Sequence, residues 1–176
     1  TKEANYTITK TEGMLTVTDR DTKYEITVVA NSGTETYDGT EHEVSGFETL
    51  TFVVDGNTYK VEGLTAGASG TDAGEYPAVV TGDAVVKDAA DNDVTKQFSV
   101  TTQDGALTIG KREVTLTSAN LEKEYDGTPL TNGETPLATE EGWVNGEGAT
   151  YTFTGSQTIA GSSNNSFTYE LNEGTK

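Results

Sequence analysis

The chain has 176 residues, 29 acidic against 11 basic side chains and a formal net charge of −18, a balance that repels the phosphates of nucleic acid and an anionic bilayer rather than gathering them. It contains no cysteine, so disulfides, thiolate metal sites and a cysteine nucleophile are excluded. No stretch approaches the roughly 18 consecutive apolar residues of a membrane-spanning helix, and membrane insertion is not expected.

Thr, Gly, Val, Asn and Asp are prominent, and apolar residues alternate with Thr and Ser rather than recurring at helical spacing. That pattern predicts an all-β chain of half-buried strands joined by tight turns. In chain order, "NYTITKTEGMLTVTDR" (5–20) sets Tyr6, Ile8, Leu15 and Val17 at alternate positions around Thr-Glu-Gly and predicts a hairpin. The acidic run Asp19–Asp21 reads as a linker. "ITVVANSGTETYDGTEHEV" from Ile26 predicts a strand, a short link and the tetrapeptide Tyr37-Asp38-Gly39-Thr40. "TLTFVVDGNTYKVEG" alternates on both sides of Asp55-Gly56-Asn57, the strongest hairpin signal in the chain. After "TDAGEYPAVV" from Thr71 and the acidic "DAADND" from Asp88, "QFSVTTQDGALTIGKR" (97–112) predicts a second hairpin. Further on come a second tetrapeptide, Tyr125-Asp126-Gly127-Thr128, then "TPLATEEGW", the one place where a helical turn could begin, and strand candidates in "GATYTFTGS" and "SFTYEL".

The order of these elements repeats. Tyr37 and Tyr125 stand 88 residues apart, half the chain, and at that offset Ile26 meets Val114 and Val28 meets Leu116 without a gap. At an offset of 87, Ala73-Gly74 meets Ala160-Gly161. The third match runs the other way, because the twin of residues 97–112 is 5–20, 92 residues earlier. Residues 21–112 therefore read as a complete first unit. Residues 113–176 read as a second unit lacking its closing hairpin, and residues 1–20 as the closing hairpin of a preceding unit.

Each candidate site has a structural and a functional reading. In Tyr-Asp-Gly-Thr, Asp bonds the backbone two residues on, Gly supplies a positive φ and Tyr packs its ring, so a turn is expected ahead of a sugar-stacking tyrosine. Asp88, Asp91, Asn92 and Asp93 present hard oxygen ligands that calcium could use, but without the bidentate Glu of a helix–loop–helix calcium site they read first as a solvated loop. No other cofactor is expected. Trp143, the sole tryptophan, is the best candidate for contact with a ligand, against the commoner reading of a loop anchor. His42 is the sole histidine, so triad chemistry has little to work with and no enzyme is expected.

With "KEYDGTPLTN", "TYTFTGSQTIAGSSNNSFTYEL" and "NYTITKTEGMLTVT" in view, the chain resembles the YDG and MBG-type tandem repeats of large bacterial, often Gram-positive, cell-surface proteins. The likeness covers nearly the whole chain and is closest in the second unit and residues 5–20; the first unit departs, with "YDGTEHEV" lacking the Pro-Leu. The resemblance implies an extracellular stalk or fibre segment of two tandem immunoglobulin-like or sandwich-like modules, with β-grasp modules as the alternative. Its implied partners are adjacent copies of the repeat, head to tail, with an adhesin binding host glycan or protein as the rival role. An open second unit would expose an apolar trough and an unpaired edge. Four side chains such as Tyr6, Ile8, Leu15 and Val17 would fill it with roughly 6–12 kcal/mol of burial before entropy, at about 1.5–3 kcal/mol each.

Overall fold

The computed structural model describes residues 6–176, and these are all-β: sixteen strands and one 3-10 turn, Thr95–Gln97, with no α-helix among the described residues. In the first unit, β1 (Tyr24–Val29) runs parallel to β9 (Phe98–Gln103), in register from Tyr24 opposite Phe98 to Val29 opposite Gln103. After a break at residues 30–32, β2 (Gly33–Thr36) runs parallel to β10 (Gly105–Gly110), and the other edge of β10 takes β7 (Gly74–Ala78) antiparallel. Pro77 stands on β7, an edge strand, where its missing N–H breaks no ladder. Also in this unit, β4 (Thr51–Val54), β5 (Asn57–Thr65) and β8 (Thr81–Lys87) form an antiparallel sheet, and β3 (His42–Ser45) pairs with β6 (Gly67–Gly70). The β4–β5 hairpin turns at Asp55 and Gly56, both at positive φ (49° and 79°), as the sequence predicts.

Period-2 alternation decides what is buried. Ile26 and Val28 of β1 and Phe98 of β9 pack with Val61 of β5 and Val86 of β8 into one core cluster. Tyr59 closes on Phe98 edge to face at 4.7 Å. A second cluster joins Leu107 and Ile109 of β10 to Tyr37, with Val44, Ala68 and Tyr76 packed around it. Every buried apolar side chain among the described residues lies between Ile26 and Ile109.

In the second unit, β11 (Thr115–Thr117) pairs with β13 (Thr139–Glu141), β12 (Leu130–Thr131) with β15 (Ser156–Gln157), and β14 (Ala149–Phe153) with β16 (Phe167–Leu171), all antiparallel. β12 lies 88 residues after β3 and pairs with β15, 87 after β6; β14 lies 88 after the second half of β5 and pairs with β16, 85–86 after β8. Phe153, Phe167 and Tyr151 make the aromatic stack of the last pair, with ring centroids 5.7 Å and 6.0 Å apart. Residues 121–124 and 161–165, the counterparts of β2 and β7, carry no strand.

Three expectations are corrected. Residues 97–112 are no hairpin: β9 and β10 do not pair with each other, and form one kinked strand that runs beside β1 and β2 throughout. The glycine in its middle serves a close approach instead of a reversal, since a Cβ on Gly105 would lie 2.1 Å from the Asn31 carbonyl oxygen. Ala30 N–H donates to the Gln103 carbonyl at 2.9 Å and Val80 N–H to Asp104 Oδ1 at 2.8 Å, which pins the kink on both sides. The expected hairpin at residues 1–20 lies partly outside the described residues, and 6–20 form no strand; Tyr6, Ile8, Leu15 and Val17 are all exposed. Its alternating side chains have no second strand or core to meet, and a lone ribbon is not stable in water. Finally, "TPLATEEGW" yields β13 rather than a helical turn, because Thr139–Glu141 finds a ladder on β11.

Candidate functional site

In the first unit β10 is the middle strand of three, so removing it would leave β2 and β7 two strand spacings apart, about 9–10 Å. The second unit has that gap. A trough of about 820 Å³ runs between residues 121–124 on one side and 161–165 on the other, with Leu130, Asn132 and Ser156 among its lining. The edge of β11 on which β1 carries β9 has no strand partner among the described residues. A polar clasp crosses the trough: Asn165 Nδ2 donates to the Ala119 carbonyl at 3.0 Å and to Asn132 Oδ1 at 2.6 Å. Asn132, 3% exposed, occupies the place of Val44 and in turn donates to the Thr135 carbonyl at 2.7 Å.

The two tetrapeptides fold alike and end up in different surroundings. Asp38 Oδ1 accepts the Thr40 N–H at 2.9 Å and the Thr40 hydroxyl at 2.6 Å; Asp126 Oδ1 accepts those of Thr128 at 2.8 Å and 2.7 Å. Gly39 and Gly127 both sit at φ 79°, the conformation that glycine adopts without strain. The Thr40 hydroxyl and N–H, then His42, hold the Asp38 carboxyl down to about 2. Lys123, followed by Thr128, holds Asp126 well below the usual carboxylate range. Yet Tyr37 is 9% exposed and Tyr125 71%. Tyr37 packs on Leu107 and Ile109 of β10, and the second unit has no strand in that place.

Tyr37 also meets the second unit. Its hydroxyl donates to Glu147, which with burial pushes the phenol up to about 12. Val144 joins the Tyr37 cluster and stands so close to Gly39 that a Cβ there would meet Val144 Cγ1 at 2.7 Å. Arg112 Nε donates to the Gly142 carbonyl at 2.6 Å, and Lys176 Nζ lies 2.9 Å from Asp72 Oδ1. A cleft of about 600 Å³ between these contacts is lined by Tyr37, Lys111, Arg112, Trp143 and Glu147. The first tetrapeptide is therefore a junction as well as a turn, a role its sequence did not signal because Val144 and Glu147 lie in the other repeat.

The remaining candidates fall into local structure. Trp143 is half-buried and donates through Nε1 to Glu140 Oε1 at 3.1 Å, an oxygen it shares with the Tyr151 hydroxyl at 2.7 Å. Asp88 accepts the Ala90 and Asn92 N–H groups on Oδ1, each at 2.9 Å, and Asp93 Oδ1 accepts the Thr95 N–H at 3.0 Å. Asp91 takes positive φ (65°) in that loop. Among the described residues no three acidic or histidine side chains converge to hold a metal ion. No protein-family model, curated protein or solved structure matches the chain.

Proposed function

We propose that the chain is a structural repeat segment of an extracellular stalk or fibre extending a bacterial surface protein. It is built from two tandem immunoglobulin-like, sandwich-like modules, residues 21–112 and 113–176, that complete one another by shared strands. The observation that carries this reading is the trough in the second unit, which lies where the first holds β10. Its work is reach, with stability summed over units and their interfaces, and it needs neither catalysis nor a metal. The charge of −18 keeps neighbouring stalks apart and soluble. The Tyr37–Glu147 and Lys176–Asp72 contacts supply a junction that limits bending between successive units.

Small-angle scattering from the chain and from genetically joined two-copy and four-copy versions tests the reading. The maximum dimension is expected to grow in proportion to copy number. A dimension that levels off as copies are added would exclude a spacer.

A further inference from the structure

We infer that the trough of the second unit is the binding site for residues 6–18 of a second copy of this chain, which enter it as a kinked strand in the register that β9–β10 keeps in the first unit. The identification rests on reading residues 113–176 as an incomplete sandwich. It goes further by naming the occupant, the direction and the pairing.

The occupant follows from the internal twin. Residues 6–18 reproduce 98–110 at an offset of 92, with Tyr6 for Phe98, Ile8 for Val100, Leu15 for Leu107 and Val17 for Ile109. The first unit shows what those side chains do when seated: Phe98, Leu107 and Ile109 are among its most deeply buried residues. In residues 6–18 the same pattern is wasted on solvent, with Leu15 100% and Val17 98% exposed. Among the described residues, 6–18 join no sheet and the trough holds no middle strand.

The register follows from the two offsets. In the first unit Ile26 faces Val100, Thr27 faces Thr101 and Val29 faces Gln103, so residues 6–11 run parallel along β11, with Ile8 beside Val114, Thr9 beside Thr115 and Thr11 beside Thr117. Leu107 faces Gly33 and Tyr76, and Thr108 faces Thr34. Leu15 therefore comes beside Leu121 and Ser163, and Thr16 beside Glu122. Gly13 takes the place of Gly105, the residue without a side chain where the strand crosses the Asn31 carbonyl, whose counterpart is Ala119. Ala119 is the carbonyl that the Asn165 clasp occupies in the open trough. Entry of the strand releases that clasp, and Leu15 and Val17 then cover Tyr125 as Leu107 and Ile109 cover Tyr37.

The chain's lack of cysteine makes the register directly readable. Thr16→Cys is placed in one full-length copy and Glu122→Cys in another; opposed residues of neighbouring strands stand within the 4.4–6.8 Å that a disulfide spans. Mixed under mild oxidation, the two variants are expected to form a covalent heterodimer. Pairing Thr16→Cys with Lys123→Cys, one residue out of register, should give at least tenfold less. Adding Leu15→Asp and Val17→Asp to the Thr16→Cys copy should reduce the heterodimer at least tenfold, and because both side chains are exposed in the free chain this change leaves its own fold alone. A chain carrying both cysteines that closes on itself at high dilution would overturn the proposal in favour of self-insertion. A synthetic peptide of residues 5–18 separates the two levels of argument, read by loss of Tyr125 exposure in NMR. If the peptide binds but copies do not cross-link, the second-copy source is wrong and the open-trough reading stands; if neither occurs, both are wrong.

Discussion

The Asp38 carboxylate spends its hydrogen-bonding capacity on the backbone and hydroxyl two residues ahead, and that has a pH signature. Its folded value near 2 lies below the ordinary aspartate range, so the proton binds the unfolded chain more readily. The stability it contributes is complete above about pH 4 and is lost as pH falls toward 2; NMR titration of the Asp38 carboxyl should place its midpoint near 2, and a midpoint near 4 would refute the turn. Tyr37 runs in the opposite direction. Its neutral hydroxyl is the donor to Glu147, so the junction holds below about pH 10 and loosens as pH rises toward 12. Tyr37→Phe should abolish that alkaline step, seen as tyrosine absorbance change, while leaving the core of the first unit in place. The turn itself was legible from four letters, because an Asx bond and a glycine are local; the partner of the tyrosine hydroxyl was not, because Glu147 lies 110 residues away.

At the level of the strand, identical patterns carry unequal weight according to what lies beside them. Leu107→Ala should cost about 2–5 kcal/mol in denaturant unfolding, as expected for a fully buried leucine. Its twin substitution, Leu15→Ala, should cost nothing measurable in the isolated chain, and a comparable loss for both would mean that residues 6–18 are already seated. The alternation in 98–110 announced a buried strand face correctly, yet the hairpin reading failed. A glycine between two alternating runs marks either a reversal or a place where another backbone passes too close for a Cβ, and only the neighbour tells which. The neighbour here is β1–β2, some 70 residues earlier and parallel. Residues 121–124 (Leu-Glu-Lys-Glu) and 161–165 (Gly-Ser-Ser-Asn-Asn) are poor in strand formers, and with no middle strand beside them they stay irregular.

Over the whole molecule the governing quantity is charge. Two copies each carrying −18 repel at long range, and the screening length falls from about 30 Å at 0.01 M salt to about 8 Å at 0.15 M. Association between copies measured by sedimentation should therefore strengthen as salt rises over that range; weakening with salt would point to ion pairs, not apolar seating, as the driving contact. The side-by-side course of β1–β2 and β9–β10 has one more outcome. Chain leading into β1 joins before Tyr24 and chain leaving β10 continues after Gly110, at opposite ends of two strands that point the same way. Tension along a chain of such units would slide these strands lengthwise and load their whole ladder at once rather than peeling it bond by bond. In single-molecule pulling the first unit should thus yield at high force in one step, and gradual opening at low force would contradict it. In an array of the kind proposed above, load would pass from one unit to the next through β9–β10, the strand that completes the sheets of residues 21–112.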